Sequence, residues 1–236
     1  MQIFICKNDK EIGDKVSSEI LKLVEKKPAA VLGLATGSSP LGTYTALVIK
    51  AKQHGVSFHQ VTTFNLDEYL DCSDPKQTYH VFMAEHLFNA LDFDAKKLNF
   101  PSLENLSSYD EMIAKAGGVD LQLLGIGVNG HVGFNEPGTP NDSLTHIITL
   151  SATTRRSNSR FFKDNLDLVP KQAVSEGLAT IANSKHIIMI ADDLTKQTAI
   201  HHLLYGHGDP NVPATALLYH PNFDLYLTKE LYEAAK

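Results

Sequence analysis

Short apolar runs alternate along this chain with longer stretches whose apolar residues recur every three or four positions. The runs Gln2–Cys6, Ala29–Leu34, Gln60–Asn65, Leu121–Ile126, His146–Leu150, His186–Ile190 and Asp224–Leu227 have the length of strands. Several are almost continuously apolar, as strands covered on both faces are. The stretches Glu11–Glu25, Leu41–Lys52, Tyr79–Ala90, Leu106–Ala116 and Thr195–Leu204 follow a helical period. In the first of them, Ile12, Val16, Ile20, Leu23 and Val24 share one face. Strand–helix alternation of this kind predicts an α/β fold: an open, mostly parallel, doubly wound (Rossmann-like) sheet with helices on both faces. No repeat, low-complexity tract or Pro/Gly/Ser linker interrupts the 236 residues, so one domain over 1–236 is expected. A chain of this length buries roughly 70% of its unfolded surface, enough for a core without disulfides or metal.

Ligands of such sheets bind beyond the carboxyl ends of the strands, which directs attention to three loops. The first, Leu34-Ala35-Thr36-Gly37-Ser38-Ser39-Pro40-Leu41, leads from a strand into a helix. Gly37 lets backbone approach a ligand closely. Thr36, Ser38 and Ser39 offer hydroxyls, and Pro40 suits a first helical turn. Free amides at a helix start favour an anion. An ordinary turn with Ser39 as helix cap remains the alternative. There is no Gly-Lys-Ser/Thr and no dinucleotide fingerprint, so a phosphate without a nucleotide is the ligand expected.

The second loop, Asn65-Leu66-Asp67-Glu68-Tyr69, ends an apolar strand in two acids. One carboxylate beside a sugar C1–C2 bond could carry a proton between those carbons. The blander reading is a solvated strand end or a helix cap. The third loop, Gly125-Ile126-Gly127-Val128-Asn129-Gly130-His131-Val132-Gly133-Phe134-Asn135-Glu136-Pro137, is glycine-rich and follows a strand. His131 is a group suited to proton transfer near neutral pH, and Glu136 is a candidate carboxylate to orient it.

Composition narrows the classes. Net charge is −6, with 27 acidic against 21 basic residues, which argues against a nucleic-acid binder. The histidines show no HExxH or CxxC…H spacing, so no metal is expected, and no cofactor either. Two cysteines, Cys6 and Cys72, fit a reducing compartment. No signal-peptide pattern and no run of ~18 apolar residues occurs, so a cytoplasmic protein without membrane partners is expected.

Taken together, Ala35–Pro40, Asn65–Tyr69 and Gly125–Pro137 closely resemble the glucosamine-6-phosphate deaminases. Asn158-Ser159-Arg160-Phe161-Phe162, followed by Val169-Pro170-Lys171-Gln172-Ala173 and Gly177, extends the resemblance over nearly the whole chain. It implies that glucosamine 6-phosphate is deaminated and isomerised to fructose 6-phosphate and ammonia. It further implies that Thr36, Gly37, Ser38, Ser39, Arg160 and Lys196 grip the phosphate. Asp67 would move the carbon-bound proton, and His131 with Glu136 would open the sugar ring. The segment from about Leu150 to Ala173, carrying Arg160, would be a mobile lid. Many members carry aspartate where this chain has Asn129, so ring opening here would rest more on Glu136. The allosteric members also carry basic residues where this chain has His146 and Ile148, together with a longer C-terminal tail. No activation by N-acetylglucosamine 6-phosphate is therefore expected.

Two rival functions have different sequence requirements. The glycine-rich loop of 6-phosphogluconolactonases usually continues past Gly-His with Thr-Ala-Ser-Leu-Phe-Pro, which this chain lacks. A non-catalytic sugar-phosphate sensor coupled to a DNA-binding module would need a module for which the α/β alternation leaves no room. A small-molecule substrate is expected, with the oligomeric state open between a monomer and a small homo-oligomer.

Overall fold

The computed structural model describes residues 1–236. The chain runs β1 (Gln2–Cys6), α1 (Asp9–Lys26), β2 (Val31–Leu34), α2 (Leu41–His54), β3 (Thr62–Asn65), β4 (Asp67–Tyr69) and α3 (Tyr79–His86). It continues through β5 (Leu98–Asn99), α4 (Tyr109–Lys115), β6 (Leu121–Leu124), β7 (His146–Thr149) and α5 (Ala152–Asn158). The last elements are β8 (Gln172–Ser175), α6 (Leu178–Ala182), β9 (Ile187–Ala191), α7 (Gln197–Tyr205), β10 (Phe223–Thr228) and α8 (Lys229–Ala234).

Seven strands pair in the order β1-β10-β9-β6-β2-β3-β5, every pair parallel, as the alternating pattern predicts. Strand β9 shows why such strands read as continuous apolar runs. Its alternate residues Ile188 and Ile190 enter one core with Ile12, Val16 and Ile20 of α1 and Leu47 of α2. Ile187, Met189 and Ala191 enter a second core with Ile181 of α6, Ile200 of α7 and Leu231 of α8. Each face is thus covered by helices. The first helix also starts where local chemistry dictates: Asn8 accepts the Glu11 amide at 3.0 Å, and the Glu11 carboxylate accepts the Lys7 amide at 2.7 Å.

One predicted strand does not join this sheet. His146–Leu150 forms β7 over His146–Thr149, in a separate antiparallel sheet ordered β4-β8-β7. The small sheet hangs from the large one through Leu66, whose N–H donates to the Leu34 carbonyl (3.1 Å) and whose carbonyl accepts from Glu176 N–H (2.7 Å). Beneath it lies a cluster of Tyr69, Phe134, Leu150, Phe162, Val169 and Ala173. The expected helix Tyr79–Ala90 is broken at Leu87, which leaves helical angles (φ −142°, ψ −57°) before a 3-10 turn.

Strand order locates the ligand crevice. From β2 the chain moves to its neighbour β3, whereas from β6 it moves away in the opposite direction to β9. β2 and β6 are adjacent, so the order reverses between them, and a crevice opens at their carboxyl ends. The loops at 35–40 and 125–136 leave from those two ends. No helix is long and apolar enough to cross a membrane.

Candidate active site

A cavity of about 430 Å3 occupies this crevice, and its walls include Thr36, Gly37, Ser38, Ser39, Asp67, His131, Arg160 and Lys196. Eight of the ten expected site residues therefore share one chamber. Asn129 and Glu136 stand directly behind His131.

The loop after β2 presents backbone to the cavity. Gly37 has φ +96°, a left-handed angle that a side chain would strain, and an added Cβ would meet open space. The amides of Gly37, Ser38 and Ser39 donate to no other group of the protein. Ser39 does not cap α2, because residue Pro40 holds the cap position without a side-chain bond. Its hydroxyl instead donates to Asp192 at 2.9 Å. Three free amides beside a helix start form a concave donor site for a dianion.

The two acids of the second loop divide their work. Glu68 accepts the N–H groups of Tyr69 (2.8 Å), Tyr79 (2.9 Å) and His80 (2.9 Å), tying β4 to the first turn of α3. The helix-cap reading therefore holds for Glu68. Asp67 is buried at 7% exposure, faces the cavity, and accepts no hydrogen bond from the protein. Burial, and secondarily the neighbouring Glu68 charge, pushes its carboxyl up to about 8. A desolvated carboxylate of raised basicity is suited to abstract a proton from carbon.

The third loop orients its histidine through an amide, which corrects the expected direct pairing with Glu136. Asn129 Oδ1 accepts the His131 backbone N–H at 3.2 Å and lies 2.6 Å from Nδ1. A backbone N–H can only donate, so the amide oxygen must face His131, and Nδ1 must carry the proton. Nε2 then holds the lone pair. The other end of the amide, Nδ2, donates to Glu136 Oε2 at 2.9 Å. Glu136 reaches His131 only through Asn129. Burial, opposed by the Glu136 charge and aided by Lys196, lowers the imidazole to about 4, so His131 is neutral at pH 7. Gly127 makes this packing fit: a Cβ there would stand 2.1 Å from the imidazole ring.

Arg160 and Lys196 are charged donors of the cavity wall. Lys196 donates to the Ile126 carbonyl at 2.6 Å, which leaves further ammonium protons for a ligand, and burial lowers its basicity. Arg160 follows α5, its guanidinium 4.7 Å from the centre of the Phe161 ring.

Several participants were given no role by the sequence. Ser151 Oγ donates to Glu136 Oε1 at 3.0 Å, and Thr154 Oγ1 donates to the same oxygen. Ser151 caps α5 and Thr154 lies in its first turn, in a polar stretch without apolar periodicity. Tyr69 receives the Asn158 amide at 2.7 Å and packs its ring 4.8 Å from Tyr79. Glu176 is 1% exposed, and neither of its oxygens has a partner. Burial, then Asp110 and Asp67, hold its carboxyl well above the ordinary range.

Similarity to known proteins can now be set against this geometry. The sequence profile of the family described as glucosamine-6-phosphate isomerases/6-phosphogluconolactonase matches residues 9–226. A glucosamine-6-phosphate deaminase of Mycoplasma mycoides is 43% identical over 233 residues, covering 97% of this chain and 95% of its own. One of Clostridium novyi is 42% identical over 237 residues, covering 98% of each. Among solved structures, a monomeric glucosamine-6-phosphate deaminase superposes with a TM-score of 0.95 at 36% identity, covering 99% of this chain and all of that one (100%). The 6-phosphogluconolactonase of Trypanosoma cruzi superposes at 0.77 with 17% identity, over 98% of this chain and 96% of its own, a likeness of fold alone. Sequence and fold agree that the chain belongs to the glucosamine-6-phosphate isomerase/6-phosphogluconolactonase family.

Proposed function

We propose that this protein is a glucosamine-6-phosphate deaminase, converting glucosamine 6-phosphate and water to fructose 6-phosphate and ammonia. The observation that carries the proposal is Asp67: a buried carboxylate without protein hydrogen bonds, in the same chamber as a neutral histidine and a phosphate-sized donor loop. The deaminase relatives support the substrate.

The phosphate lies on the amides of Gly37, Ser38 and Ser39 with the Thr36 hydroxyl, and Arg160 and Lys196 add charge. His131 takes the anomeric hydroxyl proton at Nε2 and returns it to the ring oxygen as the C1–O5 bond breaks, which leaves the open aldehyde. Asp67 then removes the C2 proton. The electron pair forms the C1–C2 double bond of an enolamine, and the aldehyde oxygen takes a proton from the C2 ammonium to become a hydroxyl. Return of the proton to C1 leaves an imine at C2, which water hydrolyses to the ketone with loss of ammonia. Residues 150–173 close over the chamber as a lid and exclude bulk water. No metal or cofactor takes part. One catalytic domain in the cytoplasm suits this chemistry. Turnover needs no sugar-phosphate activator, since Ile148 packs beside the apolar cluster where a cationic side chain would be required.

A lactonase adds water to a carbonyl and moves no carbon-bound proton, so it has no use for the basicity of Asp67. A sensor needs neither Asp67 nor His131. The test is ammonia release from glucosamine 6-phosphate. Asp67→Asn should lower kcat by about 10²–10⁴-fold, the size of a general-base contribution. Near-normal turnover in that variant would overturn the assignment. The base works ionised, so kcat/KM should climb with pH until Asp67 is deprotonated in the free enzyme, at about 8. The substrate ammonium favours the ionised carboxylate, so the rise in kcat should fall at lower pH than the rise in kcat/KM.

A further inference from the structure

The hydrogen bonds behind His131 do not stop at Glu136. Its Oε2 takes the Asn129 amide (2.9 Å), while its Oε1 takes the Ser151 and Thr154 hydroxyls. Thr154 is 3% exposed, and its own N–H donates to Ser151 Oγ at 3.0 Å. The backbone of Glu136 is fixed independently: its carbonyl accepts from Thr139 Oγ1 at 2.7 Å and Thr139 N at 3.0 Å. Only the carboxyl end is therefore left for α5 to set. That helix is fastened to the rest of the chain through Asn158 to Tyr69, and braced within its own segment by Arg155 on the Leu166 and Val169 carbonyls. It runs directly into the turn that carries Arg160.

We propose that Thr154, with Ser151, is a positioning residue through which the docked α5 segment holds Glu136, and through Glu136 and Asn129 the Nδ1–H form of His131. Seating Arg160 on the phosphate and readying His131 for ring opening are then one event. A lid that is not docked leaves Glu136 without its two hydroxyl donors. The Asn129 amide is then held in place only by the His131 backbone N–H at 3.2 Å, a weaker restraint, and His131 can present Nε2–H, the wrong partner for the anomeric hydroxyl. The inference rests on the deaminase reading for its chemistry, but the tautomer of His131 can be measured without turnover.

The experiment compares wild type, Thr154→Val, Thr154→Ser and Asn129→Leu by ammonia release and by 15N NMR of histidine-labelled protein. Thr154→Val removes the hydroxyl at constant shape. It should lower kcat about ten- to a hundredfold, the usual loss when the support of a functional histidine is removed, with KM within about twofold. Thr154→Ser should restore kcat. Wild type should show His131 protonated at Nδ1, and Thr154→Val should show a mixture of both forms. Combining Thr154→Val with Asn129→Leu should cost little more than Asn129→Leu alone, because both break one chain.

A rise in KM at unchanged kcat would make Thr154 a support for the phosphate grip only, and would overturn the relay. So would an unchanged His131 spectrum, or effects that multiply in the double variant. Failure of wild type to release ammonia would instead overturn the deaminase reading, whatever the spectra show.

Discussion

The seven-stranded sheet and the segment over the cavity are built on different principles. The sheet lies between clusters of 22 and 20 buried hydrophobic residues, fed from alternate positions of the same strands. The segment around α5 leans on a cluster of six, and its remaining apolar residues Phe161, Leu166 and Leu168 are about 40% exposed (40%, 37% and 42%). Its other ties to the rest of the chain are polar: Ser151 and Thr154 on Glu136, and Asn158 on Tyr69. Apolar burial fixes a structure in one state, because its loss is large and undirected. A few hydrogen bonds, each worth about 1 kcal/mol net, allow a segment to dock and release. In the proposed lid, this is the difference between a region that stays and a region that moves.

The sharpest way to break that contrast is to cut the core. Ile188 is fully buried at 0% exposure on β9, the strand flanked by β10 and β6. Ile188→Ala should cost about 2–5 kcal/mol of global stability, read as a lower urea midpoint. The KM of the remaining folded enzyme should stay near that of wild type. A clear rise in KM would show that the sheet and the cavity do not keep their roles apart.

The same contrast explains what could be read from the sequence. Strands β1, β2, β6, β9 and β10, with helices α1 and α2, follow directly from apolar periodicity, because their side chains enter the two large cores, while β3 sends Phe64 into a smaller cluster with Val31 and Tyr109. Strands β4 (Asp-Glu-Tyr), β5 (Leu-Asn) and β8 (Gln-Ala-Val-Ser) were illegible: none holds more than two apolar residues, too few to mark a face. Helix α5 is Ala-Thr-Thr-Arg-Arg-Ser-Asn, held by its ends and its polar groups, and nothing in that string marks a buried face. His146–Leu150 read correctly as a strand but not as a member of the second sheet, since pattern alone does not name a partner.

The site divides in the same way. The phosphate loop and Asp67 could be placed because they follow strands of the large sheet. The geometry around His131 could not, because Glu136 lies only five positions on in sequence yet meets the imidazole through Asn129. A spacing says which groups are near, and hydrogen-bond geometry says which of them touch.

Glu176 sits on the seam between the two regions, directly after β8, with its N–H on Leu66. Its carboxyl is raised in the folded protein, so the folded state binds a proton that the unfolded chain has released above the ordinary glutamate range. Stability is therefore lost as pH rises from there toward the folded value. Glu176→Gln keeps the shape without the titration. Its urea midpoint should exceed that of wild type near pH 8, and the gain should shrink toward pH 5, where both forms are neutral. An equal gain at both pH values would mean that Glu176 is not carried as a neutral acid.

Phe162 gives the smallest effect and tests the contrast from the other side. Its ring is 3% exposed and lies 5.7 Å from Tyr69, so by size alone Phe162→Ala resembles a core truncation. If the proposed lid opens without unfolding the sheet, the cost of the truncation is capped by the free energy of that opening. The urea midpoint should therefore move much less than in Ile188→Ala. The loss should appear in function instead, because Arg160 stands two residues away in the same turn. KM should rise about tenfold, equivalent to roughly 1.4 kcal/mol of binding. Trypsin should cut the variant faster at Arg155, Arg156 or Lys163, while fragments outside 150–173 stay resistant. A fall in the global midpoint as large as that of Ile188→Ala would show that sheet and segment unfold together, so that the polar fastenings around α5 add to a single cooperative core.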